Sequence, residues 1–309
     1  MDTMTYDYTE PVLSPKGQKM RDILADYITV VSHRLPDDVT KKLVELSKIE
    51  VDPLQRLIYD TMMENQMLAG KLKRPSCQDT GALQFFIKCG AKFPLLSELN
   101  AILKDAVYRA TKQAPLRHNA VQTFDEFNTG MNIGDGIPSV FMQIVDDSAD
   151  IEMYVYMAGG GCTLPGEAKV LMPGEGYEGV VRFVMDRMTS YGINACPPLL
   201  VGVGVGTSAE TAALNSKLAL MRRVDSVSPN KNAAKLEHLL EDGINHIGLG
   251  PQGFGGKASV MGVNVINTAR HPSAIGVGVS TGCWSHRRGK INFDSDLNYD
   301  LPLNEGVEL

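Results

Sequence analysis

Three cysteines of this 309-residue chain lie in short segments whose composition is typical of turns. They are Cys77 in PSCQDTG, Cys196 in NACPP and Cys283 in STGCW. The flanking Pro, Gly, Ser and Asn residues favour chain reversals, where a sulfur atom is exposed and can accept hydrogen bonds from backbone N–H groups. Three thiolates at wide spacing suit an iron–sulfur cluster in which one iron has no protein ligand. Such an iron could act as a Lewis acid, as an open catalytic metal site does.

The other two cysteines, Cys89 and Cys162, have different surroundings. Cys89 follows the apolar residues of FFIK, so we expect it to be a buried and unreactive side chain. Cys162 ends the run GGGC, and we expect a cluster not to need it. An odd number of cysteines at long spacings does not suit a secreted disulfide framework. The cysteine pattern therefore predicts reduced thiols and a cytoplasmic protein.

Three other classes of protein share part of this pattern. A structural zinc module would also use cysteines, but no pair in this chain has the CxxC-like spacing of zinc ligands. A hydrolase with a cysteine nucleophile would need a thiolate paired with a histidine. A nucleotide-binding enzyme could use GVGVGTSAE, residues 202–210, although this run lacks the GxGxxG spacing. We favour a steric explanation for these glycines, namely that they let another backbone or a bulky cluster approach closely.

Arginine and histidine stand together beside a proline in two places. Arg117 and His118 lie in APLRHNAV, and Arg270 and His271 lie in TARHPSAIG; further basic residues follow Cys283 in CWSHRRGK. A guanidinium group can bind a carboxylate through two parallel hydrogen bonds. In a chain whose net charge is −6, arginines beside turns therefore indicate recognition of a dicarboxylate.

The distribution of charged and apolar residues argues against several other functions. Lysine and arginine are spread along the chain, without the basic face that a nucleic acid or an anionic membrane surface would need. No apolar run approaches the roughly 18 residues that cross a bilayer. The N-terminal sequence MDTMTYDYTEPVLSPKG is acidic and lacks the apolar centre of a secretory signal.

The spacing of apolar residues predicts a mixed α/β fold whose first third is helical. Intervals of three and four residues indicate helices within residues 15–72, and residues 73–293 alternate between strand-like and helix-like segments. We therefore predict a helical N-terminal region followed by mixed β-sheets surrounded by helices. Residues 1–14 are predicted to form a loose arm, residues 15–293 one domain, and residues 294–309 an acidic tail.

Seven motifs, in order, resemble the class I iron–sulfur fumarase and tartrate dehydratase family. They are RPSCQDTG, APLRHNAV, YMAGGGCTLPG, NACPPLLVGVGVGTS, LGPQGFGG, ARHPS and STGCWSHRRG, and the resemblance extends over residues 15–293. The number and order of the motifs make it highly specific. The resemblance implies a [4Fe–4S] cluster held by Cys77, Cys196 and Cys283, the same three cysteines that the turn composition selects.

The resemblance also implies roles for five residues around the cluster. Gln78, Arg117 and Gly160 would bind the substrate, the last through its backbone. Asp79 and His271 would be catalytic, with Asp79 relaying or orienting the proton that leaves carbon. The open iron would bind the hydroxyl and a carboxylate of a 2-hydroxy acid and would help hydroxide to leave.

One difference within the family bears on the substrate. The fumarase branch has a serine and an asparagine after its triple glycine, whereas this chain has GGGCTLPG, which favours the tartrate branch. The resemblance thus implies the α subunit of an iron–sulfur hydro-lyase that converts L(+)-tartrate to oxaloacetate. The alternative is the α subunit of a two-subunit fumarate hydratase. Fused family members carry a further domain with arginines, a lysine and a threonine base, so we expect a separate β subunit to complete the site in an α2β2 assembly.

Overall fold

The computed structural model describes residues 6–309 and has an α/β fold, as predicted. The α-helices are Pro15–His33 (α1), Asp37–Ile49 (α2), Pro53–Leu72 (α3), Leu99–Gln113 (α4), Gly160–Thr163 (α5), Gly176–Tyr191 (α6), Ala209–Met221 (α7) and Lys231–Ile247 (α8). None of the helices in residues 6–309 is long and apolar enough to cross a membrane.

The strands begin after α3. They are Ala82–Gly90 (β1), Val121–Gln122 (β2), Phe127–Asn128 (β3), Ser139–Val145 (β4), Ile151–Ala158 (β5), Glu167–Leu171 (β6), Leu199–Gly206 (β7), Val260–Asn267 (β8), Ile275–Gly282 (β9), Arg288–Phe293 (β10) and Tyr299–Asp300 (β11). Residues 15–72 thus contain helices and no strand, whereas residues 73–293 contain both helices and strands.

Residues at the helix ends explain where two of the helices begin or end. The Asp52 carboxylate accepts a hydrogen bond from the Leu54 N–H over 2.7 Å, so it caps α3, whose first residue is Pro53. Helix α4 ends at Gln113, two residues before Pro115, because proline cannot donate to the helical hydrogen-bond pattern.

Residues 6–14 contain no helix or strand, yet they contact folded parts of the chain. Leu13 is buried, and the Tyr8 hydroxyl donates to Asp105 Oδ1 over 3.0 Å. Ser14 Oγ accepts from the Gly17 N–H over 3.0 Å and so caps α1. The second half of the predicted loose arm is therefore attached, and residues 1–5 of that arm lie outside the described residues.

The described chain forms two compact units. The first contains the segment up to Asp37, Asn65–Ala158 and Arg287–Leu309, and the second contains Asp38–Glu64 and Gly159–His286. Each unit has its own β-sheet and hydrophobic core. The division into an arm, one domain and a tail stays a prediction.

The sheet of the first unit has the strand order β11-β10-β5-β1-β4. Strand β1 is parallel to β4 and antiparallel to β5, and the odd-numbered residues of β1 and β5 point into the core beneath α1 and α4. Helix α1 lies very close to β10, since a Cβ atom on Gly289 would come within 2.4 Å of Tyr27 Oη. Only glycine allows this approach, which lets Tyr27 Oη lie 3.0 Å from the Lys290 carbonyl oxygen.

The C-terminal residues also belong to this unit. Leu297, Leu303 and Asn304 are buried, and β11 pairs with the end of β10. Asn304 Oδ1 lies 2.8 Å from Tyr27 Oη. Although residues 294–309 are acidic, they are therefore partly folded into the first unit.

The sheet of the second unit has the order β6-β9-β7-β8, and its two faces differ in composition. Valines of β7 and β9 belong to a core with α6 and α8, while the glycines between them face α7. A Cβ on Gly204 would come within 2.0 Å of the Ala212 carbonyl oxygen, and one on Gly278 within 2.5 Å of the same atom. The glycine run thus lets a helix backbone lie directly on the strands, which is the steric explanation that the sequence favoured.

Five strands were not predicted from the sequence, namely β6, β10 and the two-residue strands β2, β3 and β11. Strand β10 begins with Arg288, which is fully buried, and contains Lys290 and Asn292. Polar residues at these positions hide the alternation of apolar and polar residues that identifies a strand. Whether a charged side chain is buried depends on partners from other segments, which the local sequence does not show.

Candidate active site

Cys77 lies in a bend between α3 and β1, and the preceding residue fixes this bend. The Ser76 N–H donates to the Ser32 carbonyl oxygen at the end of α1 over 2.9 Å. The Ser76 carbonyl oxygen accepts from Asn65 Nδ2 of α3 over 2.8 Å. Two helices therefore hold the backbone beside Cys77, whose side chain is only partly buried. A thiol in such a segment can be presented to a ligand without unfolding a helix or strand.

The backbone after Cys77 is fixed by Asp79 and Asn119. Asp79 Oδ1 accepts from the Gly81 N–H over 3.0 Å and from Asn119 Nδ2 over 3.3 Å. Asn119 Nδ2 also lies 3.1 Å from the Gly81 carbonyl oxygen. The buried Arg287 donates from Nη2 to the Asp79 carbonyl oxygen over 2.8 Å. The Asp79 carboxylate thus has a local structural role in addition to any role in catalysis.

Cys77, Gln78 and Arg117 line one cavity of the first unit. Its volume is about 370 Å³, and its lining residues are Pro75, Cys77, Gln78, Thr80, Pro115 and Arg117. Thr80 Oγ1 donates to the Arg117 carbonyl oxygen over 3.4 Å, which joins the two segments. A thiol, an amide and an exposed guanidinium therefore face the same space. This combination could hold a metal-bound carboxylic acid, because the guanidinium and the amide both donate hydrogen bonds to carboxylate oxygens.

Cys196 and Cys283 lie together in the second unit. Cys196 precedes β7 and Cys283 follows β9, and these antiparallel strands pair Leu200 with Gly282. The Trp284 N–H donates to the Cys196 carbonyl oxygen over 3.1 Å. We call this end of the sheet, with Cys196 and Cys283, the cysteine edge. Cys196 is exposed and Cys283 partly buried, so both thiols can meet a ligand from outside the core.

Helix α5, which begins at Gly160, also lies at the cysteine edge. Thr281 Oγ1, two residues before Cys283, donates to the Cys162 carbonyl oxygen over 2.5 Å. A Cβ atom on Gly161 would come within 3.2 Å of the Asn194 carbonyl oxygen, two residues before Cys196. Gly160 is exposed, so its backbone is accessible beside the two cysteines.

His271 lies at the opposite end of the same sheet. It belongs to the loop between β8 and β9, and its N–H donates to Thr207 Oγ1, just after β7, over 3.1 Å. Strands β7 and β9 each have eight residues, so about 25 Å of sheet separates this loop from the cysteine edge. Its Nδ1 accepts from the Ser273 N–H over 3.1 Å, which places the proton of the neutral ring on Nε2. The second unit therefore does not bring His271 to Cys196 and Cys283, although the resemblance implied one site.

The two cysteines outside the predicted ligand set are both buried. Cys89 is fully buried in the core of the first unit, as predicted, and burial raises the pKa of its thiol. Cys162 is 5% exposed, and its Sγ lies 3.2 Å from the Gly159 carbonyl oxygen, to which the thiol donates. It lies within the short helix α5 and not in an open turn. Both thiols are thus packed within the protein.

Comparison with known proteins agrees with the motifs. The sequence pattern of the family described as fumarate hydratase (Fumerase) matches residues 21–292. This chain belongs to that family. The family consists of hydro-lyases, enzymes that add or remove water, so the resemblance stated from the motifs is confirmed.

Several similar proteins are identical to this chain at more than half of the matched positions. An Escherichia coli protein named L(+)-tartrate dehydratase subunit alpha is 55% identical over 282 residues, which cover 91% of this chain and 93% of that protein. Proteins of the same name from Shigella boydii and Shigella sonnei show the same identity and coverage.

The cysteines of this family member fit an iron–sulfur cluster in the chemistry of their donor atoms. Cys77, Cys196 and Cys283 each lie outside helices and strands, and none is fully buried. Two of them converge on the cysteine edge, while Cys77 belongs to the other unit. Among residues 6–309, no group of three or more His, Cys, Asp or Glu side chains is gathered around a metal position. The fit therefore rests on the presence of three thiol groups, on their exposure and on the proximity of Cys196 to Cys283.

Two residues support Asp79 through contacts that the sequence did not indicate. Asn119 bonds to Asp79 and Gly81, and Arg287 bonds to the Asp79 carbonyl oxygen. Asn119 stands in the motif APLRHNAV and Arg287 in STGCWSHRRG, so the motifs contained both residues. Their contact with Asp79 depends on segments far apart in sequence, which no local pattern indicates.

Proposed function

We propose that this chain is the α subunit of an L(+)-tartrate dehydratase, which removes water from L(+)-tartrate and forms oxaloacetate. The observation that carries the proposal is 55% identity, over nine-tenths of both chains, to proteins of that name. The sequence GGGCTLPG, which lacks the serine and asparagine of the fumarase branch, supports the same substrate.

The proposed cofactor is a [4Fe–4S] cluster held by Cys77, Cys196 and Cys283. When bound, it would supply an iron without a protein ligand, a Lewis acid that weakens a carbon–oxygen bond. The presence of three accessible thiols in turn segments supports this ligand set. Cys89 and Cys162 are excluded from it because they are buried.

The side chains of the first unit would bind and orient the substrate. Arg117 would pair with one carboxylate, and Gln78 would donate a hydrogen bond from its amide. The Gly160 N–H, at the cysteine edge of the second unit, would donate to a substrate oxygen. Asp79 would hold or orient the proton that leaves carbon, since an aspartate placed near the reacting atoms can accept it. We leave His271 out of this set because it lies at the other end of the sheet from Cys196 and Cys283.

The active enzyme is proposed to be an α2β2 assembly in the cytoplasm. The relatives are named as alpha subunits, which supports a partner chain. A dicarboxylate has a second charged end, and a proton on carbon needs a base opposite the metal. We assign both functions to the β subunit.

Replacement of single cysteines tests the cluster assignment. Cys77→Ser, Cys196→Ser and Cys283→Ser should each remove the visible iron–sulfur absorbance and lower the iron bound per chain after anaerobic reconstitution. Cys89→Ser and Cys162→Ser are the matched controls and should retain both. Normal iron content in any of the first three variants would contradict the proposed ligand set.

A substrate comparison separates the two branches of the family. The reconstituted complex with its β subunit should dehydrate L(+)-tartrate faster than it dehydrates (S)-malate. The second candidate, a fumarate hydratase α subunit, is supported by the description of the matching family. Faster turnover of (S)-malate would favour that candidate.

A further inference from the structure

Asn132 is a buried amide in the loop that follows β3, and its side chain joins that loop to two other segments. It is 1% exposed. Its Oδ1 accepts from the Asn119 backbone N–H over 3.0 Å, and its Nδ2 donates to Thr111 Oγ1 over 3.2 Å. A backbone N–H can only donate, so this partner fixes which way the amide faces. A buried asparagine with both ends of its amide engaged specifies one arrangement of the segments that it joins.

The contact with Thr111 attaches Asn132 to helix α4. Thr111 is itself buried, and its Oγ1 donates to the Val107 carbonyl oxygen over 2.8 Å. Because a hydroxyl has a single hydrogen, the same oxygen is left to accept from Asn132. Val107 and Ala110 of this helix are fully buried in the core of the first unit. Asn132 thus holds the Asn119 backbone against a helix that cannot shift without disturbing a close-packed core.

The Asn119 backbone lies between groups that are assigned to the substrate. Arg117 precedes it by two residues, and the Arg117 carbonyl oxygen accepts from Thr80 Oγ1 over 3.4 Å. On the other side, Asn119 Nδ2 lies 3.3 Å from Asp79 Oδ1 and 3.1 Å from the Gly81 carbonyl oxygen. The two walls of the cavity that Arg117 lines are therefore joined through Asn119, and the position of Asn119 sets their spacing.

We propose that Asn132 is a positioning residue that fixes the Arg117 guanidinium relative to the opposite wall of its cavity, which carries Cys77 and Gln78. This inference rests on the proposed function, in which Arg117 pairs with a substrate carboxylate. Asn132 would act through the Asn119 backbone. Loss of its amide would let the segment after Arg117 shift, and a displacement of about 1 Å is enough to weaken a guanidinium–carboxylate contact that depends on geometry.

The test measures binding of tartronate to the reconstituted complex by isothermal titration calorimetry. Tartronate is a 2-hydroxy dicarboxylate whose hydroxyl-bearing carbon is bonded to two carboxylate carbons, neither of which carries a hydrogen. It can therefore bind as a substrate would but cannot lose water. Iron per chain and circular dichroism would confirm that each variant is loaded and folded.

Three variants and one control separate positioning from general stability. Asn132→Leu removes the amide with little change in volume, Thr111→Val removes the hydroxyl behind it, and Thr111→Ser retains that hydroxyl. The control is Asn264→Leu on β8 of the second unit. Asn264 is also 1% exposed, and its Nδ2 donates to two carbonyl oxygens over 3.2 and 3.3 Å.

In Asn132→Leu we expect the Kd for tartronate to rise on the order of tenfold, because hydrogen bonds to a charged group are strong and depend on geometry. Thr111→Val should raise it by a smaller factor, whereas Thr111→Ser and Asn264→Leu should leave it unchanged. A folded, iron-loaded Asn132→Leu complex that binds tartronate as tightly as the parent would overturn the inference.

A double-mutant cycle tests whether Asn132 acts through Arg117. Arg117→Met alone should weaken tartronate binding more than Asn132→Leu does, and adding Asn132→Leu to it should change the Kd by less than about twofold. Effects that multiply independently would contradict the assigned role. If the unsubstituted complex neither turns over L(+)-tartrate nor binds tartronate, the proposed function fails and the inference fails with it, a result that needs no variant.

Discussion

Glu50, in the connection between α2 and α3, shows how a single buried carboxylate organises a distant loop. It is 1% exposed, and its oxygens accept the N–H groups of Lys257 and Ala258 over 2.8–3.0 Å. Carboxylates that accept backbone N–H groups form strong hydrogen bonds, and removal of the acceptor leaves buried donors without a partner.

Glu50→Ala should therefore destabilise the second unit by about 2–4 kcal/mol, measured by urea unfolding. The control is Glu45→Ala on α2, where the side chain is 49% exposed and its nearest cation, Lys42 Nζ, lies 3.8 Å away. That change should alter the free energy of unfolding by less than about 0.5 kcal/mol. Equal effects of the two substitutions would contradict the role assigned to Glu50.

His33, at the end of α1, should make stability depend on pH. Burial lowers its pKa below the ordinary value of 6.5, and the charges of Lys73 and Arg34 lower it further. The unfolded chain thus binds a proton at a higher pH than the folded chain does. The free energy of unfolding should fall as the pH decreases through 6.5 and should level off below the folded pKa.

Urea titrations between pH 5 and 8 would measure this contribution. His33→Gln should flatten the decline, whereas His246→Gln, at an exposed position on α8, should not. The same slope in all three proteins would show that His33 does not titrate differently in the folded state.

At the scale of elements, the packing of α7 against β7 depends on glycine. Gly204→Ala would push a methyl group into the Ala212 carbonyl oxygen, so we expect destabilisation by about 3 kcal/mol or loss of folding. Gly70→Ala is the control, since nothing lies within 4 Å of its Cβ position in α3, and it should stabilise by about 0.5–1 kcal/mol. Thermal unfolding compares the two variants. A Gly204→Ala protein as stable as the parent would show that α7 can move away from the strands without cost.

The elements themselves were largely predictable, for reasons that differ from one to another. Strand β1 and helix α3 have local signals, an alternating apolar run in the first case and Asp52 with Pro53 in the second. Strand β10 has no such signal, because its buried Arg288 depends on neighbours from other segments. Helix α5 begins with Gly160 and Gly161, which favour a turn, so its helical form was not evident from the sequence.

At the scale of the whole molecule, the chain should need its partner for activity. The isolated, reconstituted chain should turn over L(+)-tartrate several orders of magnitude more slowly than the complex, because one carboxylate clamp and the base are assigned to the β subunit. Anaerobic assays with and without the β subunit measure the difference, with equal iron content as the control. Turnover by the isolated chain that equals that of the complex would place the whole site within these 309 residues.

The sequence names the residue types of the candidate site, an assignment that stays a prediction, but it does not give their arrangement. Turn composition selected Cys77, Cys196 and Cys283 without any structure. The proximity of the last two follows from antiparallel pairing of β7 with β9, which sequence patterns do not give. The same pairing separates His271 from them, so residues from one set of motifs can lie at opposite ends of a sheet.

The discontinuous first unit has a consequence for synthesis of the chain. Strand β10, which pairs with β5, leaves the ribosome only after the whole segment Gly159–His286 has been made. At cellular rates of translation this takes roughly ten seconds. During that interval the edge of β5, with Met153 and Val155, has no β10 to pair with, while the second unit can already fold. We expect nascent chains of this protein to present a short-lived apolar strand edge that chaperones can bind.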